Sequence, residues 1–306
     1  MARTMIRRLG FGVIAVLGVA VLSFLLEFVI PGDPARAIAP RAQSAAVLRN
    51  ITIQLHLNRP LIIQFLDYFG QLFRGNLGTS YVQRQSVTSL IGPRLATTGE
   101  LALAGVIAEV ILGGGLGIVA ALYPRVRAAV SAVNLTLLAL PQFVVGLLLL
   151  LIFGFKLHLA PVTGGAGPAE IVLPALTLGL VGAPWYAQIV ADQMGDSLAS
   201  AYVRTAVAKG LPDRYILWRH VLRNVLSPAI TMIGMDLGAY LSGVVTVEVV
   251  FGWPGIGLLA VDSLQDLDRP VVMGTVIVGA VAVVFFNLVA DVLRMYVDPR
   301  TREEQA

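Results

Sequence analysis

Long stretches without a charged residue constrain this chain more than any other feature of its sequence. The longest, Ala128–Phe155, runs for 28 residues without an Asp, Glu, Lys or Arg. A helix needs about 20 mostly apolar residues to cross the hydrocarbon core of a bilayer. Charged residues make up 13% of the chain and hydrophobic residues 57%, whereas a soluble domain carries roughly 25% charged residues. The sequence therefore predicts an all-α polytopic membrane protein.

Six stretches are apolar and long enough to be membrane spans. Arg3, Arg7 and Arg8 before the first stretch resemble the start of a secretory signal, but the apolar run is too long for one. Pro31-Gly32-Asp33-Pro34 is also no small-residue cleavage site, so we interpret the first stretch as a retained span. The predicted spans are Leu9–Leu26, Leu101–Tyr123, Ala128–Phe155, Ile171–Ala191, Val225–Val250 and Val271–Ala290.

The distribution of Arg and Lys predicts that both termini lie in the cytoplasm and that the protein sits in the cell (inner) membrane. Cytoplasmic loops of membrane proteins are enriched in these residues. The net charge of +4 is explained in this way, and nucleic-acid binding is not expected because no basic run is interleaved with aromatic residues. The basic residues expected inside are Arg3, Arg7, Arg8, Arg125, Arg127, Arg204, Lys209, Arg214, Arg219, Arg223, Arg294, Arg300 and Arg302.

The segment between the first two spans is too long to be a simple connector. Leu61–Phe73 has apolar residues at helical spacing, and Gly75-Asn76-Leu77-Gly78 is typical of a turn. We expect an ordered extracytoplasmic insertion. The predicted organisation is residues 1–30 for the N-terminal end and first span, 31–98 for the insertion, 99–296 for the transmembrane core and 297–306 for a cytoplasmic tail.

Several kinds of chemistry are missing from the sequence. The chain has no cysteine, which excludes disulfides, thiolate metal sites and thiol nucleophiles. Neither of its lysines, Lys156 and Lys209, is followed by Ser or Thr, as a phosphate-binding loop requires. His56, His158 and His220 are far apart in the sequence, which argues against a histidine metal site. We therefore expect no catalytic residue, no metal and no cofactor bound by the chain itself.

The cytoplasmic segment 192–224 is the most informative loop. It is much longer than the roughly two to eight residues that usually join bundle helices. Ala199–Lys209 is compatible with a helix, Gly210 and Pro212 interrupt it, and Asp213 is predicted to be the N-cap of a second helix, Arg214–Asn224. Two short helices at an angle, with basic side chains outward, would suit docking of a soluble partner. The alternative is an interfacial anchor to anionic lipid.

The same segment resembles a known motif. Tyr202-Val203-Arg204-Thr205-Ala206 followed by Lys209-Gly210-Leu211 is similar to the coupling-loop motif of binding-protein-dependent ABC importers, in its dipeptide/oligopeptide form. Ala206, Gly210 and Leu222 match the general motif of these importers, whereas Arg204 and Thr205 replace its Glu-Ala, and His220 and Arg223 replace its Ile and Pro. The resemblance extends over nearly the whole chain, through Pro31-Gly32-Asp33-Pro34, Gly75–Ser80, Leu173–Leu178, Glu248–Gly255 and Asp298-Pro299-Arg300.

The resemblance carries several implications. It implies a permease subunit that forms half of a pathway for small peptides, in a heterodimer with a second permease subunit. Two cytoplasmic ATPase subunits, which bind ATP–Mg, and an extracytoplasmic solute-binding protein would complete the importer. Relatives carry dipeptides, oligopeptides, nickel complexes or glutathione, so the substrate stays open. The implied ATPase-coupling residues are Tyr202, Arg204, Thr205, Ala206, Lys209, Gly210, Leu211, Pro212 and Arg214.

Placing an acidic residue inside a membrane span costs free energy, so each such residue is a candidate functional residue. Asp236 could line the pathway, or it could hydrogen-bond a neighbouring helix or the partner permease. Glu248 lies near the outer end of its span and is interpreted as a structural anchor for Trp253-Pro254-Gly255. Glu109 and Asp291 have no partner recognisable in the sequence.

Pro141, Pro174 and Pro184 lie within predicted spans. Proline is common in membrane helices, because neighbouring groups satisfy the backbone atoms that it frees. The three prolines could form kinks or gates, but we interpret them as ordinary residues of their spans.

Two other functions compete with an importer subunit. An ion-coupled secondary transporter usually shows inverted repeats and broken helices, but no repeat is recognisable and the long basic loop would have no role. A non-transporting membrane scaffold would leave the buried Asp236 unexplained.

Overall fold

The computed structural model describes residues 2–29, 35, 45–162, 164–165 and 167–297. Over these residues the chain is helical, with an isolated β-bridge between Thr79 and Ser86 and no β-strand. The sequence features at Pro31–Pro34, Asp298–Arg300 and Arg302 lie outside the described residues.

The helices of the described residues are numbered in chain order. In chain order they are α1 (Ala2–Val29), α2 (Ala45–Gln54), α3 (Leu61–Leu72), α4 (Val87–Leu122), α5 (Pro124–Ala139), α6 (Gln142–Leu149, extended by a π-helical turn over Leu150–Lys156), α7 (Val172–Ala199), α8 (Ala201–Ala208), α9 (Asp213–Ile216, extended by a π-helical turn over Leu217–Val221), α10 (Leu222–Leu241), α11 (Val245–Phe251), α12 (Ile256–Gln265) and α13 (Arg269–Val297).

Four single helices are long and apolar enough to cross a membrane, within α1, α4, α7 and α13. Two bent helix pairs, α5 with α6 and α9–α10 with α11, bring the number to six if each pair crosses once. The all-α polytopic architecture is therefore confirmed, and each of the six predicted spans has its counterpart.

The α5–α6 pair bends by 101°, which corrects the interpretation of Pro141. Leu140 is extended, with ψ 127°, and Pro141 is the N-cap of α6. The ring of a proline disfavours the helical conformation for the residue before it, and here that effect ends α5. Pro174 and Pro184, by contrast, lie inside the continuous helix α7.

The second bend, of 57°, separates α10 from α11. Gly243 in the connection has φ +111°, and a Cβ placed there would lie 3.1 Å from the backbone of Gly257. Only glycine tolerates both the positive φ and so close an approach. Asp236 and Glu248 therefore lie on different helices.

Helices α4 and α7 pack closely because small residues line their contact. A Cβ added to Gly113 would clash with the backbone of Ala183, and one added to Gly179 would clash with Ala108. Small residues let membrane helices approach each other where lipid offers no hydrophobic driving force. This pair forms the centre of the bundle.

Helix α4 links the two ends of the molecule. Its 36 residues correspond to about 54 Å of helix. It begins at Val87, where the Ser86 Oγ accepts a hydrogen bond from the Ser89 N–H at 3.2 Å, whereas the second span was predicted to begin at Leu101. Its first turns pack with Ile256 and Val271, and its last turns pack under α8 and α9.

The described part of the insertion is ordered, and α3 confirms the helix predicted over Leu61–Phe73. Phe24 of α1 contacts Phe65 and Tyr68 of α3, with ring centroids 5.3 and 5.7 Å apart. The buried Asp268 accepts hydrogen bonds from the Ser80 hydroxyl and from the Tyr81 N–H. The insertion is thus fixed to the bundle at two points.

Asp291, near the C-terminus, had no partner recognisable in the sequence. In the structure it forms an ion pair with Arg8. This pair joins α1 to α13. A charged pair offsets part of the cost of placing either charge near the apolar region.

Candidate functional site

The structure places the predicted coupling loop at the end of α4 opposite the insertion. Helix α7 continues to Ala199 and α10 begins at Leu222, so much of the predicted 192–224 loop consists of helix extensions. Between them lie α8 and α9, at the two positions where short helices were predicted. Asp213 is the first residue of α9 and makes no capping hydrogen bond, because Pro212 is the N-cap. The predicted role of Asp213 as N-cap was wrong.

Gly210 closes α8 with backbone hydrogen bonds. Its φ of +74° is left-handed, its N–H donates to the Val207 carbonyl at 2.9 Å, and the Leu211 N–H donates to the Ala206 carbonyl at 3.3 Å. Glycine commonly ends helices in this conformation because it carries no Cβ. The predicted interruption of the helix at Gly210 is confirmed.

The inner side of α8 and α9 is apolar and packed. Val203, Ile216 and Val221 are buried with Met194 of α7 in one cluster. Ala206 belongs to this cluster and is only 6% exposed. The structure thus places Ala206, one of the implied coupling residues, under the surface and not on it.

The outer side carries the other implied residues. Tyr202, Arg204, Thr205, Lys209, Gly210, Leu211, Pro212 and Arg214 are all exposed. The Asn224 amide donates to the Tyr202 hydroxyl at 2.6 Å and to the Ser197 hydroxyl at 3.2 Å, which ties α8 to the ends of α7 and α10. We call this outer side of α8, α9 and their connection the loop-end surface.

The sequence analysis missed two aromatic residues of the loop-end surface. Tyr215 is 48% exposed and Trp218 is 71% exposed. Trp218 lies one helical turn after Arg214, and this spacing was the available signal. Aromatic residues and Arg are enriched at protein interfaces. The surface is chemically suited to bind a soluble protein or an anionic lipid surface.

A second candidate site lies inside the bundle, between α4, α7 and α10. The Tyr186 hydroxyl donates to Asp236 Oδ2 at 2.6 Å, and the Tyr240 hydroxyl donates to Glu109 Oε1. Tyr186 and Glu109 are buried, whereas Asp236 and Tyr240 are partly exposed. We call these four residues the acid–tyrosine cluster.

The cluster is incompletely paired. Glu109 Oε2 is buried and has no hydrogen-bond partner among the described residues. A Cβ added to Gly182 would clash with the Glu109 carboxylate, so the acid occupies space that this glycine leaves. Within the described chain, no Arg, Lys or His forms an ion pair with Glu109 or Asp236. The cluster can therefore accept a positive charge or a hydrogen-bond donor.

Glu248 lies in a fully paired site at the other end of α4. Its Oε1 accepts from the Thr98 hydroxyl at 2.8 Å, and its Oε2 accepts from the Leu258 N–H at 2.8 Å. The Ile256 N–H donates to the Thr98 hydroxyl, also at 2.8 Å. The indole N–H of Trp253 donates to the Thr97 carbonyl at 3.1 Å. The interpretation of Glu248 as a structural anchor is confirmed.

Among the described residues, no group of three or more His, Cys, Asp or Glu is arranged to hold a metal ion. The two candidate sites therefore offer hydrogen bonds, charge and shape.

Comparison with known families gives matches along most of the chain. Residues 113–303 match the family described as binding-protein-dependent transport system inner membrane component. Residues 1–102 match the N-terminal part described for the membrane component of the same systems.

Curated proteins show similarity over almost the full length. The chain is 37% identical over 289 residues to the glutathione transport system permease protein GsiC of Salmonella choleraesuis, covering 93% of this chain and 94% of that protein. It is 38% identical over 288 residues to GsiC of Salmonella typhimurium. It is 36% identical over 291 residues to GsiC of Escherichia coli K12. Each of these two matches also covers 93% of this chain and 94% of the relative.

A solved structure shows the same arrangement of helices. The inward-facing MetNI methionine ABC transporter contains a chain that aligns with a TM-score of 0.56 and 14% identity, covering 69% of this chain and 97% of that chain. At this identity the match shows the fold alone.

Proposed function

Because the chain belongs to the family of binding-protein-dependent transport system inner membrane components, we propose that it forms half of a membrane pathway for a small peptide, with glutathione as the leading candidate. The chain is a multi-pass permease subunit of an ABC importer and not an enzyme. Membership of this family decides against an ion-coupled secondary transporter and against a membrane scaffold.

One observation carries the proposed substrate. Three relatives whose names specify glutathione transport are 36–38% identical to this chain over 93% of its length. Glutathione is a tripeptide, so this candidate also agrees with the peptide-permease form of the motif around Gly210. Dipeptides and oligopeptides are the next candidates.

The proposed importer needs further subunits. We propose a second permease subunit, two ATPase subunits that bind ATP–Mg, and a solute-binding protein outside the membrane. The chain itself is proposed to bind no cofactor. Support for this assembly comes from the family description, which names a binding-protein-dependent system.

The proposed orientation places both termini and the loop-end surface in the cytoplasm, and residues 31–98 outside. The basic residues Arg204, Lys209 and Arg214 on the loop-end surface support it, because basic residues favour the cytoplasmic side. The packing of α4, with the insertion at one end and α8–α9 at the other, supports opposite locations for these two regions.

We propose that the loop-end surface is where motion of the ATPase subunits reaches the membrane helices. Its buried underside, formed by Val203, Ile216 and Val221 with Met194, connects the surface directly to α7. A packed element transmits a displacement, because protein interiors have low compressibility. Gly210 and Pro212 fix the angle between the two short helices.

Uptake of labelled substrates tests the proposal. Cells lacking only this chain are compared with complemented cells for uptake of labelled glutathione and of a labelled dipeptide. We expect glutathione uptake to be lost and then restored by the complementing gene. Unchanged uptake of both substrates would refute the proposed substrate class. Affinity purification in detergent, followed by identification of the co-purifying subunits, tests the proposed assembly separately.

A further inference from the structure

We infer that the acid–tyrosine cluster recognises a primary ammonium group of the transported molecule. This inference rests on the proposed function, because it deepens the description of the substrate. Asp236 would contact the ammonium group from its exposed side, and the Oε2 of Glu109 would accept a further hydrogen bond from the same group.

First, the two acids of the cluster have no counter-charge among the described residues. Asp236 lies one helical turn before Tyr240, which donates to Glu109. The two acids thus belong to one cluster, and neither forms an ion pair with a described basic residue. Two acids without a cation are costly inside a membrane protein. Asp291, between α1 and α13, does have its own cation in Arg8.

The second step is the unpaired oxygen. Glu109 is fully buried, yet its Oε2 has no hydrogen-bond partner in the described structure. A buried polar atom without a partner is costly, so Oε2 can take a further hydrogen-bond donor. Proton uptake would neutralise Glu109, but the new O–H would still need an acceptor. An ammonium group instead brings up to three donors and a charge.

The third step is access. Asp236 is partly exposed on α10, while Tyr186 occupies its Oδ2. Its neighbours on the same helix, Met235 and Ala239, are exposed. The open face of Asp236 therefore adjoins a surface of α10 that no described residue covers, where a substrate can arrive.

The fourth step is the fit to the proposed substrate. Glutathione carries one ammonium group, and the tyrosine hydroxyls beside the two acids are suited to its polar surroundings. A hydrogen bond to a charged group contributes more than a neutral one. The cluster would thus favour peptides with a free amino group over peptides whose amino group is blocked.

The test measures selectivity in the complete importer, reconstituted with its binding protein. Uptake of glutathione is compared with uptake of N-acetylglutathione, which lacks the ammonium charge, at concentrations that saturate the binding protein. The preference of the binding protein is the same for every permease variant, so it cancels when variants are compared. We expect Asp236→Asn to lower the glutathione to N-acetylglutathione uptake ratio by about tenfold, which is the effect of losing one charge-assisted hydrogen bond.

Three further variants make the result specific. Asp236→Glu keeps the charge and should restore part of the ratio. Glu109→Gln should lower the ratio by a smaller factor. Asp291→Asn is the matched control, because this acid already pairs with Arg8, and its ratio should equal that of the wild type. ATPase activity stimulated by the loaded binding protein reports whether each variant assembles.

An assembled Asp236→Asn importer with the wild-type ratio would overturn the inference and leave the proposed function intact. In that case a proton or a residue of the partner permease would neutralise the cluster. An importer that carries neither glutathione nor its acetylated form would overturn both proposals.

Discussion

The two ends of α4 are built from different kinds of contact. At one end, Thr98 and Glu248 are fully buried and every carboxylate oxygen of Glu248 accepts a hydrogen bond. At the other end, α8 and α9 pack on the bundle through an apolar underside. Their outer side exposes basic and aromatic residues such as Arg214 and Trp218. The Glu248 carboxylate uses both of its oxygens within the chain, whereas the side chains of the loop-end surface stay exposed. The difference indicates that the buried acid at the first end stabilises the fold, whereas the exposed side chains at the second end are available to a partner.

The largest expected effect is a loss of stability on changing the buried acid Glu248. It tests whether this acid stabilises the fold. Glu248→Gln places an amide in a site that offers hydrogen-bond donors, so we expect a loss of about 3 kcal/mol or more in stability. The measurement is the yield of folded protein in detergent and its thermal unfolding. Glu109→Gln is the matched variant: Glu109 is equally buried but has an unpaired oxygen, so its loss should be smaller. Equal losses would mean that hydrogen-bond pairing does not distinguish the two sites.

Two glycines allow a direct comparison of the two ends. Gly75 in the insertion and Gly210 at the loop end both have φ +74°, and a Cβ on either would meet nothing within 4 Å. Replacement by leucine should therefore cost each site a similar amount, about 1–2 kcal/mol of backbone strain. We expect Gly210→Leu to uncouple ATP hydrolysis from uptake while the spans still insert, and Gly75→Leu to leave coupling unchanged.

The ratio of substrate transported to ATP hydrolysed, measured in the reconstituted importer, checks this pair. If both variants lower the ratio equally, strain alone explains the effect and the loop end has no special role. If neither does, the loop-end surface is better explained as an anchor to lipid.

Much of this architecture could be predicted because its signals are local. The apolar runs located the spans, and the Gly210–Pro212 interruption located the connection between α8 and α9. The burial of Ala206 was not predicted, because the motif match does not tell which face of α8 packs against the bundle. The buried stripe joins Val203 to Ala206, because that face meets Met194 of α7.

The acid–tyrosine cluster could not be predicted, for a physical reason. Glu109 and Tyr240 are 131 positions apart, and Tyr186 and Asp236 are 50 positions apart. A single sequence contains no information on which distant helices pack together. Pro141 shows a related limit, since a membrane proline can be accommodated in a continuous helix, as Pro184 is, or can end one.

A smaller effect is expected for the exposed tryptophan. Trp218→Ala should weaken binding of the ATPase subunits by roughly tenfold, because large aromatic side chains often dominate interface energies. Its matched control is Trp185→Ala, which removes another tryptophan, 60% exposed, from the middle of α7. Copurification of ATPase subunits at increasing salt measures the difference. Equal retention of the ATPase in the two variants would show that Trp218 does not contribute to the interface.

The smallest expected effect is that of single cysteine substitutions, which test which side of α8 faces the ATPase subunit. The chain has no native cysteine, so each introduced thiol is unique. Ala208 and Leu211 are exposed on the loop-end surface, whereas Ala206 is 6% exposed and packs inward. We expect Ala208→Cys and Leu211→Cys to retain transport and to crosslink to an ATPase subunit through a short bifunctional reagent. Ala206→Cys, only two residues away from Ala208, should not react. Crosslinking from Ala206 but not from Ala208 would show that α8 presents its other face to the partner, and it would reverse the assignment of the docking side.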